Sequence, residues 1–568
     1  MKKEIRNIIL LYTLFVLIKI IFSYFIPSSR GLADDYQYLK MSESFFYHFS
    51  LKVHGAFSGQ FYPLYPIIIS ISHIFTNNEI VYLTIKIINV ILSSLIIFPS
   101  YYLSREFLSE KKSLLVATVI SLLPANFGLG SYIMSENLFY SLFLITIYFI
   151  YKSFKEKKTK YYILTGIFCL LSILTRIHGL VLIVLIAILI SMNFFKKDFI
   201  KKYWIVILLI IVLLFLWYKY ANFVIYSVYT TEALALIKTG RILALIIKYI
   251  SYFGFLLLGS GLMLMLPFFI SFSVKNKNLI LFRKITLLTL IVSLFLAANH
   301  ALSSKIYSYN IGNIVLIGGR TIGRYIDFCL PLIVILGFIG LDHYFKKIPK
   351  FDEKLLRKLT ILSCFIMLVT TSIMLTPLVP LNNISLTIFG VLKYVLEIIF
   401  YSKGSFDFGT KLIPFIVISL IFVLLPILNY FLLKKLNYKR FISIFLIVLV
   451  INAIISMGVV YYAATTSWYY NSEQRQLALY LNKIDPKRST VLIDQRSEGD
   501  LGGLTYDPKA LYVNATKSKY TILGYWLNDE LIIGDINNND VDYIISTYDL
   551  NLDKIYQTNN GIYLYKIK

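Results

Sequence analysis

The sequence predicts an α-helical polytopic membrane protein of about thirteen transmembrane helices, with interfacial helices in its first outer loop and a small C-terminal α/β domain. Three observations predict it. Of 568 residues, 58% are hydrophobic and the mean hydropathy is +0.72, too apolar for a soluble chain of this length. Apolar runs of near-spanning length recur between residues 7 and 463, separated by short Lys/Arg clusters. After Ser467 the pattern changes to short β-like runs of mixed charge.

The predicted spans are 7–26, 80–104, 113–130, 137–151, 161–175, 178–193, 203–220, 243–273, 285–298, 325–342, 359–376, 412–432 and 441–463. The runs 161–175 and 178–193 are short for a hydrocarbon core of ~30 Å. Fusing them would put one of their flanking basic loops on the opposite side, so they are read separately. Segments 1–6, 105–112, 152–160, 194–202, 275–284, 343–358 and 433–440 then share one side and carry more than half of the 56 lysines and arginines. That bias makes this side cytoplasmic, with the N-terminus inside and the C-terminus outside. The first apolar run is too long for the core of a cleaved signal and reads as an uncleaved anchor. The net charge of +26 therefore belongs to membrane loops and does not mark a nucleic-acid binder. Cys169, Cys329 and Cys364 all fall in apolar runs, with neither a disulfide framework nor metal-ligand spacing.

Two domains are expected, 1–463 in the membrane and 464–568 outside it. In the second, 491–494 and 543–546 read as strands, 473–483 as a helix, and 555–565 as a hairpin around Asn559-Asn560-Gly561.

Acids are scarce, so Asp34 and Asp35, adjacent and just past the first span, need a reason. Residues 36–50 have helical spacing and suit an interfacial helix. The run 63–76 is too short to cross and is headed by Pro63 and Pro66. The pair suits two compatible roles. Asp34 can cap the helix with Asp35 in its first turn, and a carboxylate here can serve as a general base. A second signal is the outer loop 299–324, which carries His300, Lys305, Arg320 and Arg324 without an acid. Cations on the outer side go against the inside bias and suit phosphate, either of a bound lipid or of anionic head groups. Gly318-Gly319-Arg320-Thr321-Ile322-Gly323-Arg324 follows no predicted strand and is not read as a nucleotide loop. Finally, Lys19, Lys86, Glu136, Arg176 and His178 lie in spans or at their ends, where charges usually line a cavity or pair with one another. Asn383-Ile384-Ser385 and Asn514-Ala515-Thr516 are outward-facing glycosylation sequons.

In order and sidedness these residues resemble the GT-C class of polytopic glycosyltransferases that use polyprenyl-phosphate sugars. The likeness is greatest to the family 39 set of protein O-mannosyltransferases, lipid A aminoarabinose transferases and lipopolysaccharide-core glycosyltransferases. It rests on Asp34-Asp35-x-x-Tyr38, Tyr62-Pro63-Leu64-Tyr65-Pro66, Ser135-Glu136-Asn137-Leu138, Thr175-Arg176-Ile177-His178-Gly179, and Arg324-Tyr325 with Pro331. Ile177 replaces a proline common in that set, and Lys86 stands where an arginine is frequent. The resemblance implies inverting sugar transfer from a polyprenyl-phosphate donor to a lipid, glycan or protein acceptor on the outer face of the cell membrane. Asp34 would be the catalytic base, with Asp35 supporting it or contacting the acceptor. Glu136 would line the acceptor or sugar pocket, with Tyr38, Tyr62, Tyr65, His178 and Tyr325 around the substrates. Arg320 and Arg324, with Lys86 and Arg176 as further candidates, would hold the lipid phosphate, and Lys305 counts among the substrate-binding residues. Asp34, Asp35 and Glu136 also offer oxygen ligands for Mg²⁺ or Mn²⁺, which some of this class use, without demanding one. Two other readings stay open. An oligosaccharyltransferase would carry Trp-Trp-Asp in its outer domain, where this chain has Ser467-Trp468-Tyr469-Tyr470-Asn471. A lipid or sugar transporter would show repeated halves and helices broken at midplane.

Overall fold

The structure, a computed structural model, describes residues 2–27, 33–53, 56–57, 62–192, 208, 211–212, 215, 242–303, 309–311, 314–317, 321–347, 351–371, 383–401, 412–466, 472–485, 489–494, 496, 526–527, 530–536, 541–559 and 561–568. The N-terminal part is a helical bundle. Its elements are α1 (Lys2–Tyr24), α2 (Ala33–His48), α3 (Leu64–Ile69), α4 (Asn78–Ser94), α5 (Ile97–Arg105), α6 (Glu110–Leu122), α7 (Pro124–Phe127), α8 (Glu136–Glu156), α9 (Thr159–Thr175) and α10 (Leu180–Ser191). They continue as α11 (Ile242–Gly259), α12 (Met265–Ile270), α13 (Lys277–Ser303), α14 (Leu330–Lys347), α15 (Glu353–Thr370), α16 (Thr387–Tyr401), α17 (Leu412–Lys435) and α18 (Tyr438–Thr465).

Local chemistry sets several helix starts. The Asn77, Asp352 and Asn437 side chains accept from the first free backbone N–H groups of α4, α15 and α18, satisfying donors that have no partner inside the helix. Leu10, Leu14, Leu17 and Ile21 line one face of α1 and are each more than half exposed. Such an apolar stripe costs free energy in water but not against lipid tails. Helices close enough to touch backbone to backbone need small residues. At Gly340 of α14, an added Cβ would run into the Pro267 carbonyl oxygen and Ser271 nitrogen of the α12 segment.

Twelve of the thirteen expected spans coincide with helical segments; 203–220 lies almost wholly outside the described residues. By length and composition, eight described helices can cross a membrane, and nine if the pair Glu110–Leu122 and Pro124–Ser131, bent by 69°, counts as one. The others are shorter: the segments Thr159–Thr175, Ile177–Ser191 and Ile384–Leu396 are apolar but of 10–17 residues. Three expectations are corrected. Expected span 113–130 breaks at Leu123-Pro124, because proline cannot supply the N–H that would continue the helix. Expected span 243–273 breaks after Gly259, where Gly261 takes a positive φ of 104°. Helix α16 was not expected at all.

Ion pairs join the predicted basic segments to one another. Glu4 pairs with Arg105 (3.1 Å), Glu106 with Lys152 (3.1 Å) and Lys155, Asp342 with Lys112, and Glu353 with Lys434 (2.8 Å). Segments 1–6, 105–112, 152–160, 343–358 and 433–440 therefore lie at one end of the bundle. From Glu4, α1 runs for roughly 30 Å at 1.5 Å per residue, so the chain reaches Asp34 at the opposite end.

The C-terminal part pairs α19 (Glu473–Ile484) with a sheet of β5 (Thr490–Asp494), β6 (Glu530–Gly534), β7 (Tyr543–Ser546), β8 (Lys554–Gln557) and β9 (Tyr563–Lys566), in the order β6-β5-β7-β9-β8. Strand β5 is parallel to β6 and β7, while β7–β9 and β8–β9 are antiparallel. Two short hairpins, β1 (Lys52–Val53) with β2 (Ala56–Phe57) and β3 (Tyr309–Ile311) with β4 (Ile314–Ile317), lie in the loops of the membrane part. Leu477, Ala478 and Leu481 of α19 share one buried cluster with Val491 and Ile493 and with Tyr36, Leu39 and Met41 of α2. Asn78 donates its side-chain amide to the Leu527 carbonyl, and the Arg475 guanidinium lies 4.6 Å over the Trp526 ring. The α/β unit thus sits on α2 and the start of α4.

Candidate active site

Helix α2 opens with Ala33-Asp34-Asp35, so both acids fall in its first turn, where the helix dipole favours negative charge. Asp34 lies inside the helix and does not cap it, and its side chain has another partner. Its Oδ2 accepts from Arg324 Nη1 at 2.6 Å, across 290 residues of sequence. Arg324 is presented by a single 3₁₀ turn, Gly323–Tyr325. The same Nη1 lies 3.8 Å from Glu136 Oε1. Glu136, the first residue of α8, is fully buried, and its Oε2 meets Arg176 Nη1 at 2.8 Å. Arg176 follows α9 in an extended conformation (φ −161°, ψ 144°), which ends the helix and turns its side chain back to the cluster. Carboxylates and guanidiniums therefore alternate, Asp34–Arg324–Glu136–Arg176. Burying four charges is tolerable only when each is paired in this way.

Polar side chains and rings surround the four. Ser135 Oγ accepts from Tyr38 (2.9 Å) and from Arg176 Nη1 (3.2 Å). Tyr38 packs edge-on against Tyr65 at 5.0 Å, whose hydroxyl donates to Asn89 Oδ1 (2.9 Å). His178 Nδ1 accepts from Arg176 Nε at 3.2 Å. The Tyr325 ring stands 5.2 Å from His178 and 4.9 Å from His300, with the Arg324 guanidinium 5.7 Å over it. Burial pushes the Tyr38 hydroxyl well above its usual range, so it stays a neutral donor. Burial opposes charge on Arg176, but Glu136 and the other negative groups around it together outweigh this and hold the guanidinium above its ordinary value.

Asp34, Asp35, Tyr38, Tyr65, Glu136, Arg176, His178, Arg324 and Tyr325 thus gather in one buried region, with Asp35 fully buried one residue from Asp34. Lys86 points elsewhere: its ammonium donates to the carbonyls of Ser23 (2.8 Å) and Ile26 (2.6 Å), closing the end of α1 before the loop that leads to Asp34. Lys19, also buried, donates to Ser93 (3.2 Å). Tyr62 is buried in the main bundle core. Lys305 and Arg320 lie outside the described residues, as do Gly318, Gly319 and the sequon at Asn514.

The glycine run does follow a strand, β4, contrary to the sequence reading. That strand belongs to an antiparallel hairpin, and the described residues that come next form a single 3₁₀ turn, Gly323–Tyr325. Asn383, read as a sequon, is 1% exposed and its amide is engaged at both ends; it is no acceptor for a glycan. The sequence reading missed Asp327, which is 1% exposed with Oδ1 accepting from Ser385 at 2.8 Å. An acid within an apolar run, three residues past Arg324, was the available signal.

Among the described residues no three His, Cys, Asp or Glu side chains converge to hold a metal ion. Asp34 and Glu136 already face guanidiniums, so the arrangement fits a divalent cation poorly, and no step below passes through one.

The fold is shared with solved structures along nearly the whole chain, and part of the chain matches a protein-family model. Residues 62–220 match the protein-family model described as dolichyl-phosphate-mannose-protein mannosyltransferase. Among solved structures, the chain is similar to ArnT from Cupriavidus metallidurans in the apo state, at 10% identity and TM-score 0.52 over 97% of each chain. It is also similar to the same protein bound to undecaprenyl phosphate, at 11% identity and TM-score 0.51 over 98% of this chain and 97% of that one. An oligosaccharyltransferase from Archaeoglobus fulgidus tethered with an acceptor peptide covers 98% of this chain and 74% of its own at 12% identity. Its TM-score of 0.31 carries no weight. A search of curated protein sequences finds no match.

Proposed function

We propose that this chain is a membrane glycosyltransferase that moves a sugar from a polyprenyl-phosphate donor to an acceptor hydroxyl on the outer face, with inversion and with Asp34 as general base. The observation that carries the reading is the alternating cluster Asp34–Arg324–Glu136–Arg176, built from four distant stretches at the end of the bundle away from its basic segments. The likeness to a structure bound to undecaprenyl phosphate supports a lipid-phosphate donor. In this reading 1–463 is the catalytic membrane domain, and 464–568 is an extracytoplasmic domain covering the acceptor side.

Arg324 connects the two halves of the chemistry. At rest its guanidinium occupies Asp34. Donor phosphate, a diester anion whose oxygens fit the guanidinium fork, draws the guanidinium away and leaves the carboxylate open to the acceptor hydroxyl. Asp34 then takes the hydroxyl proton as the acceptor oxygen bonds to the sugar C1 from the face opposite the phosphate. The C1–O bond to phosphate breaks, and Arg324 receives the charge that develops on the departing lipid phosphate. Glu136 holds Arg176 and Ser135 in place around the sugar. The test is mass spectrometry of lipid-linked and surface glycans in cells lacking the chain. The reading expects an accumulated polyprenyl-phosphate sugar and a surface glycan short of one residue. Unchanged profiles of both would overturn it.

A further inference from the structure

The turn that presents Arg324 carries a second layer of construction. Arg324 itself sits on three residues of 3₁₀ backbone, too short an element to fix a guanidinium by its own hydrogen bonds. Three buried side chains from other helices hold it. Asn383, just before α16, accepts the Gly323 N–H on Oδ1 at 2.7 Å and donates from Nδ2 to the Thr321 carbonyl at 3.2 Å. Tyr252 of α11 accepts the Ile322 N–H on its hydroxyl at 3.1 Å. Lys248, one helical turn earlier on α11, donates to Thr321 Oγ1 at 3.0 Å. Asn383 and Lys248 are 1% exposed, and Tyr252 and Thr321 fully buried.

Two peptide N–H groups and one carbonyl of the 321–323 backbone are thus satisfied by side chains. The pairing at Asn383 needs a donor and an acceptor on one short planar group, which a carboxamide supplies without ionising. The turn is also pressed against α11: a Cβ at Gly323 would overlap the Phe255 ring, so glycine is required by close approach. One residue further on, Arg324 reaches Asp34 and Glu136.

We propose that Asn383, with Tyr252, is a positioning residue for Arg324: its carboxamide sets the turn so that the guanidinium can exchange between Asp34 and the donor phosphate. The inference rests on the proposed function, and its test separates the two. Undecaprenyl phosphate binding is measured by titration of the purified full chain in nanodiscs, for wild type, Asn383→Ala, Arg324→Ala and the double variant, with thermal unfolding recorded for each. Leaving the Gly323 N–H and the Thr321 carbonyl unsatisfied is expected to weaken binding about 10- to 100-fold. Asn383→Ala is expected to have no further effect once Arg324 is gone. If Arg324→Ala binds like wild type, the functional reading fails. If Arg324→Ala weakens binding while Asn383→Ala does not, or if Asn383→Ala weakens it equally in both backgrounds, the positioning inference fails. Should Asn383→Ala not fold, Tyr252→Phe, which removes one acceptor at nearly constant shape, enters the same cycle with the same two overturning outcomes.

Discussion

Arg324→Ala is the perturbation whose consequences can be worked furthest. The Arg324–Asp34 pair is 2.6 Å long and its side chains are 10% and 11% exposed, so solvent screens it little. Removing one member of a buried pair typically costs about 3–5 kcal/mol, because the other charge is left without compensation. Glu136 is less affected, since Arg176 remains 2.8 Å from its Oε2. The stability loss should therefore follow Asp34, and Asp34→Leu combined with Arg324→Met should recover most of it, as apolar replacements of whole pairs often do. Activity behaves differently. A charge-assisted hydrogen bond to phosphate is worth about 1.5–3 kcal/mol, so donor binding falls roughly ten- to a hundredfold in Arg324→Ala and stays lost in the stable double variant. Detergent-solubilised chain unfolded in denaturant gives the first quantity, and donor titration gives the second. Single variants within about 0.5 kcal/mol of wild type would refute the buried-pair argument. A double variant that still binds donor would refute the phosphate assignment.

Three smaller predictions test neighbouring parts. Tyr38→Phe removes one donor to Ser135, which keeps Arg176 at 3.2 Å; about 1 kcal/mol of stability should be lost, and a loss above 3 kcal/mol would give Tyr38 a larger role. Gly340→Ala should destabilise the α12–α14 contact by about 1–3 kcal/mol through overpacking, and a neutral result would mean the helices separate freely. In the C-terminal unit burial opposes the charge of Asp494, but hydrogen bonds from Arg496 and Ser546 outweigh it and hold the carboxyl below its ordinary value. A depressed folded value contributes stability that is full above the unfolded pKa of about 3.9 and lost as pH falls through the lower folded one. Protection of the β5 and β7 amides in the full chain, taken relative to the intrinsic exchange rate at each pH, should fall as pH drops below about 4, and in Asp494→Asn it should change much less over that range.

What the sequence made legible follows from what is local. Spans, basic segments and the strands of the C-terminal unit are periodicity and composition, so they could be read directly. Asp34, Glu136, Arg176 and Arg324 stood out because each is an ionisable residue at the end of an apolar run. Their pairing was hidden, since nothing near Asp34 tells of an arginine 290 residues later. Lys86 looked like a phosphate ligand for the same reason, and only the carbonyls of Ser23 and Ile26 show what it holds. Asn383 was misread because a tripeptide pattern carries no information about burial. Helix α16 escaped notice because Pro377 and Pro380 precede it and Lys393 and Glu397 interrupt its apolar run; it packs against the two helices that follow it, α17 and α18. Local patterns gave the candidates, and tertiary packing gave their roles.

The measurement that bears most directly on the mechanism is the sugar-transfer rate of Asp34→Asn at saturating donor lipid. Asparagine keeps the shape and an oxygen facing Arg324 but cannot take a proton, and a general base contributes about 10²–10⁴ in rate. The account predicts a fall of at least a hundredfold, with donor lipid still bound and the protein still inserted in the membrane. Transfer within tenfold of wild type would contradict it and move the base to another residue.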